Sequence, residues 1–145
     1  MRIVGRFGLF LAGSLAASPV QAQTALMTGT EIRQAVAGKT LDGVYPDGLA
    51  FTESYASDGK IDYRETNRPL TGRWTIEGPV FCTLYDGGNG GGCWRLRATG
   101  ANCFTFFNAA KPKAGAKTAG AVGREWGAMA WRQGEPSTCE GRPTV

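Results

Sequence analysis

The sequence predicts a mainly β protein: an antiparallel meander closing into a small sandwich or barrel, with one short N-terminal helix and two disulfides. Three observations carry this. From Leu70 to Phe107 the chain runs through short apolar–polar alternations broken by glycine-bearing turns, the pattern of short half-buried strands. Four cysteines, at 82, 93, 103 and 139, occur in a chain whose start looks like an export signal. A helix-start pattern precedes the first strand.

That start is Thr28-Gly29-Thr30-Glu31, a capping box with Thr28 as N-cap and Glu31 reaching back. Ile32, Ala35 and Val36 then share one helical face, and Gly38 supplies a stop. A helix over about 29–37 is too short to stand alone and must lie against the sheet. Strands are expected over 40–45, 49–55, 60–65, 72–77, 80–85, 93–97, 103–107 and 126–131. The hairpin around Asp58-Gly59 has a derivable register. A two-residue loop would put Phe51 and Tyr55 on the face opposite to Ile61 and Tyr63. A three-residue loop, Ser57 to Gly59, pairs Tyr55 with Ile61 and Glu53 with Tyr63. Leu49, Phe51, Tyr55, Ile61 and Tyr63 then share one face, and only this register buries them together. In 72–77, Trp74 and Ile76 point inward and Arg73, Thr75 and Glu77 outward. Residues 108–124 are rich in alanine, glycine and lysine without apolar period, which predicts a flexible loop. The tail from Pro136 is pinned by Cys139.

Met1 to Ala22 has the parts of a secretory signal peptide. Arg2 and Arg6 give a positive start, Phe7 to Ala17 is mostly apolar, and Val20-Gln21-Ala22 supplies small residues at a cleavage site. The apolar run is short of the roughly 20 residues a bilayer span needs, and no membrane span is expected after signal removal. One β domain, 23–145, would remain, periplasmic or secreted. The formal net charge of +4 includes Arg2 and Arg6, so the mature domain is only weakly basic and nucleic acid is not an expected partner. In an exported chain an even cysteine count reads as disulfides. A zinc site would want close cysteine pairs and histidine; the cysteines are widely spaced and the chain has no histidine.

The remaining motifs point to surface recognition rather than chemistry. Without histidine, Ser/His and Cys/His nucleophilic pairs are excluded. No carboxylate pair can be placed together, so catalytic, cofactor-binding and metal residues are all read as none. Glycines 87–92 around Asn89 lack the lysine and hydroxyl of a phosphate loop and read as a hairpin connection. Lys111, Lys113 and Lys117 read as a solvated loop. Arg64, Arg73, Arg95 and Arg97, with Asp62, Glu53 and Glu77, are expected to form cross-strand ion pairs on a wet sheet face. Tyr45, Phe51, Tyr55, Tyr63, Trp74, Phe81, Trp94, Phe104 and Phe106 either fill a core or line a ligand cavity.

The segments TGTEIRQAVAGKTLDG, YASDGKI, LTGRWTIEG, the FC and CWRL pair, and GANCFTFF resemble, in this order, a family of small exported alphaproteobacterial proteins known only as a domain of unknown function. The resemblance covers about Thr28 to Phe107. It implies a compact periplasmic β domain and a disulfide using Cys82 and Cys93, and it implies no activity. Cys82 and Cys93 also flank one hairpin, which leaves Cys103 for Cys139. The expected function is a non-catalytic envelope or binding module, not an enzyme, with no cofactor; its partner would be an envelope protein or a small ligand. Inhibition of an envelope hydrolase such as lysozyme, or lipocalin-like carriage of a small apolar ligand, are the alternatives. N-terminal sequencing of the protein recovered from the periplasm or medium should begin at Gln23; an intact Met1 end would refute the signal.

Overall fold

The computed structural model describes residues 25–112 and 122–140. One helix, α1 (Gly29–Val36), precedes eight strands: β1 (Lys39–Val44), β2 (Ala50–Tyr55), β3 (Lys60–Glu65), β4 (Arg68–Glu77), β5 (Val80–Tyr85), β6 (Gly91–Gly100), β7 (Cys103–Ala109) and β8 (Val122–Arg132). Each strand pairs antiparallel with the next, and β8 returns to β1, so the sheet is a closed up-and-down barrel. Closure leaves no sheet edge to seek another chain. The expected signal peptide and the middle of the expected 108–124 loop lie outside the described residues. Its flanks are strand: Asn108 and Ala109 end β7, and β8 begins at Val122.

The helix starts as its residues dictate. Thr28 Oγ1 accepts from the Glu31 amide at 3.3 Å, and the Thr28 amide donates to Glu31 Oε2 at 2.7 Å. Ile32, Ala35 and Val36 are buried. Burying Ile32 and Val36 contributes about 2 kcal/mol each. The helix packs on β1, β4 and β5 at the end of the barrel where β1 begins. Backbone bonds tie it there, from Gly38 N–H to the Tyr55 carbonyl at 2.7 Å and from Met27 N–H to the Leu96 carbonyl at 2.8 Å. That end is plugged. The opposite end, where β1 leaves and β2 enters, is the mouth.

The β2–β3 register is the one derived above: Tyr55 opposite Ile61 and Glu53 opposite Tyr63. Gly59 takes φ +91° in its turn, a conformation that costs glycine nothing. Phe51, Tyr55, Ile61 and Tyr63 are buried together, but Leu49 is not. It is 37% exposed, because β2 starts only at Ala50 and Leu49 N–H is held by Asp47 Oδ1 in the preceding turn. In β4, Trp74 is buried while Arg73, Thr75 and Glu77 are exposed, as the alternation requires. Gly43 makes closure possible near the mouth: the Phe51 ring occupies the space a β-carbon there would need.

Both disulfides form as paired from the sequence. Cys82–Cys93 links directly opposed residues of β5 and β6, and Cys103–Cys139 ties the tail to the start of β7. In the chain-entropy picture they contribute about 3 and about 4 kcal/mol. Asn102 reinforces the second, its side chain accepting from Arg132 N–H at 2.8 Å and donating to the carbonyls of Arg132, Glu135 and Pro136.

Two turn positions make opposite predictions. Gly59→Ala should lower unfolding free energy by about 1 kcal/mol or more, with Ser57→Ala near neutral. Thr66, at the β3–β4 turn, is the described non-glycine residue with positive φ, at 50°, so Thr66→Gly should raise stability by about 1 kcal/mol. Urea unfolding of the three variants measures both, and a destabilised Thr66→Gly would refute the strain.

Candidate functional site

Period-two alternation determines what enters the lumen. On β2 the inward positions are Phe51, Glu53 and Tyr55; on β5 they are Phe81, Thr83 and Tyr85. Glu53 therefore cannot stay in water. It is 5% exposed, against the expectation that it would join an outer ion-pair face. The correction follows from the register itself, since the pairing that puts Phe51 and Tyr55 inside puts the residue between them inside as well. The signal was present in the hairpin and was overridden by the charge of the side chain.

A buried carboxylate needs partners, and tyrosines provide them. Tyr55 donates its hydroxyl to Glu53 Oε2 at 2.6 Å, and Tyr85 donates to Oε1 at 2.8 Å. Toward the mouth, Tyr63 donates to Glu65 Oε2 at 2.5 Å and shares a hydrogen bond with the Tyr45 hydroxyl at 3.0 Å. The rings pack on one another, Tyr45 on Phe51 at 4.8 Å and Tyr63 on Tyr85 at 5.1 Å between centroids. Burial raises the Glu53 pKa above the ordinary carboxylate value, and the two phenol hydrogen bonds only partly oppose it. Burial also raises Tyr55, Tyr63 and Tyr85, and the adjacent carboxylates push them further the same way.

Beside Glu53 lies a void of about 30 Å³, lined among others by Phe51, Thr83, Tyr85, Trp94 and Phe106. Thr83 is 6% exposed and its hydroxyl has no hydrogen-bond partner. It lies close enough to the Tyr85 phenol to favour that group's ionisation, yet makes no hydrogen bond to it. The aromatics singled out from the sequence thus mostly fill the lumen. Phe51, Tyr55, Tyr63, Trp74, Phe81, Phe104 and Phe106 are buried, and Tyr45 and Trp94 are partly buried against them.

The other candidates are dispersed. Arg64, Arg73, Asp62 and Glu77 are exposed on the outside, and the expected cross-strand ion pairs do not form. Among the described residues the ion pair present is Lys60–Asp58, at 3.0 Å on the β2–β3 turn. Lys60, Asp62, Arg73 and Asp86 line one outer groove without a cross-strand ion pair. Arg97 stacks on Phe107 with its guanidinium carbon 5.1 Å from the ring centre. The glycine-rich connection makes a 3₁₀ turn at Asp86–Gly88 and enters β6, with Asn89 bonded to Asp86 and Arg68. Lys111 is exposed; Lys113 and Lys117 lie outside the described residues. An outer groove of about 690 Å³ runs over the Cys82–Cys93 bridge, between Arg73, Leu84 and Lys111. Among the described residues no three metal-binding side chains cluster, and no helix is long and apolar enough to cross a membrane.

The raised Glu53 pKa has a sign. Its contribution to stability is fully present below the ordinary value of 4.5 and is lost as pH rises through the raised folded-state pKa. Glu31 and Asp58 act oppositely. Glu31 is lowered by the Thr28 backbone and Asp58 by the Lys60 side chain, and their contributions are lost as pH falls. The difference between wild type and Glu53→Gln isolates the first effect: the wild type should lose stability relative to the variant from mildly acidic to neutral pH. Urea midpoints across that range measure it, and parallel curves would refute the assignment. Tyr85→Phe should cost about 1–3 kcal/mol by removing one of the two donors. Comparisons with protein-family models, with curated proteins and with solved structures return no match for this chain.

Proposed function

We propose that the chain is an exported, non-catalytic recognition module that works outside the cytoplasm and takes its ligand at the barrel mouth. The observation that carries this is Glu53, a buried carboxylate held by two tyrosine hydroxyls beside a void and an unpartnered threonine hydroxyl. A buried acid with a perturbed pKa in an aromatic pocket is a candidate binding site. Export is supported by the two disulfides and by the signal-like start.

The same geometry argues against carriage of an apolar molecule. Ligand pockets span roughly 300–1,000 Å³, and the void is about 30 Å³, so such a ligand would have to displace packed aromatic rings. General acid–base chemistry is not part of this reading, because each oxygen of Glu53 already accepts a phenol and the chain lacks histidine.

The test is a set of amide NMR spectra of the purified protein with the low-molecular-weight fraction of the periplasm. Shifts should concentrate on Tyr45, Glu53, Thr83 and Tyr85 and vanish in Tyr85→Phe. Shifts confined to the outer groove around Leu84 and Gly91 would refute the mouth as the binding surface.

A further inference from the structure

The carboxylates at the mouth are not ion-paired. Glu53 and Glu65 have no cation within ion-pair distance among the described residues. Three basic residues stand at inward register positions, all at rims: Lys39 is exposed where β1 begins, at the plugged end. Arg68 is exposed at the mouth and donates to Asn89 at 2.9 Å. Arg132 lies at the plugged end against the Phe104 ring, at 5.1 Å. None of the three forms an ion pair with Glu53. A carboxylate this deep therefore depends on two neutral phenols, with no cation beside it among the described residues to balance its charge.

Three features beside it match one kind of cation. The void of about 30 Å³ admits one or two water-sized groups, since a single water needs about 10–15 Å³. That fits an –NH₃⁺ tip and is too small for a guanidinium or a trimethylammonium. Thr83 Oγ1, buried and without a partner, supplies a free acceptor on the wall. The rings of Phe51, Trp94 and Phe106 line the void, and aromatic faces attract ammonium through their quadrupole. We infer that the void beside Glu53 is a site for a primary ammonium group, with the Glu53 carboxylate as counter-ion and Thr83 Oγ1 as acceptor. This inference rests on the mouth being the binding surface. Its occupant is the –NH₃⁺ tip of either a free alkylamine or a lysine side chain.

The experiment titrates the disulfide-intact protein near neutral pH with butylammonium, 1-butanol, tetramethylammonium and Nα-acetyl-lysine amide, followed by amide NMR. Butylammonium or acetyl-lysine amide should saturate, roughly tenfold or more tighter than butanol or tetramethylammonium, with shifts at Glu53 and Thr83. Butylammonium alone would identify a free amine, and acetyl-lysine amide alone a lysine side chain. Thr83→Val, which removes the acceptor, should weaken binding about threefold to tenfold with a melting temperature no lower than that of the wild type. Glu53→Gln should weaken it more than about tenfold. Equal binding of butanol would overturn the ammonium assignment while leaving the mouth as a binding surface. Absence of saturation by both ammonium probes would mean the void holds water only, and binding unchanged in Thr83→Val and Glu53→Gln would place the cation elsewhere; either result overturns the site.

Discussion

The seam between β1 and β8 is the contact on which the rest of the molecule depends. It pairs residues some ninety positions apart, Asp42 with Trp131 and Gly43 with Ala130, and converts a meander with two open edges into a barrel. Eight strands enclose a lumen just wide enough to be filled by side chains. Once the seam is closed, every inward position is committed to that lumen. Gly43, Ala128 and Ala130 keep this wall thin, and the bulky rings opposite take up the space: Phe51 lies over Gly43, while Phe104 and Phe106 pair with Ala130 and Ala128.

This commitment explains the polar island around Glu53. With Phe51 and Tyr55 directed inward, Glu53 is carried with them, and its desolvation is partly offset by phenols from its own strand and from β5. The tyrosines have a double role. Their rings complete the apolar filling, and their hydroxyls satisfy the acids, which apolar aromatics could not do. The hydrogen bonds also orient Tyr85 and Tyr55 toward one point, so that a void remains where Thr83 is left without a partner. Polarity increases along the axis from the helix-plugged end, with Ile32, Val36, Leu41 and Leu96, toward the tyrosine- and carboxylate-bearing mouth.

The outer surface has a different character. Small residues and the Cys82–Cys93 bridge form a shallow groove, and cations border it without carboxylate partners in contact. Surface ion pairs would have added only about 0.2–1 kcal/mol each, so their absence costs the fold little. The second disulfide and Asn102 do more, because they fasten the tail across the plugged end, where β6 turns into β7 and β8 finishes.

Local chemistry was legible in the residues. The capping box at Thr28 and Glu31, the Gly59 turn, the Tyr55–Ile61 register and the strand alternation around Trp74 all depend on neighbours a few positions apart, and the structure has each of them. The cysteine pairing was legible because Cys82 and Cys93 face each other across a single hairpin. Leu49 was misplaced because one Asp47 hydrogen bond delayed the strand by a residue. Closure into a barrel rather than a sandwich was decided by the tertiary structure, since nothing local to β1 or β8 specifies that they meet. The fate of Glu53 was likewise decided there. Its alternation pointed inward, its charge pointed outward, and the conflict was resolved only when the fold supplied Tyr85, from 32 residues away, as a second donor.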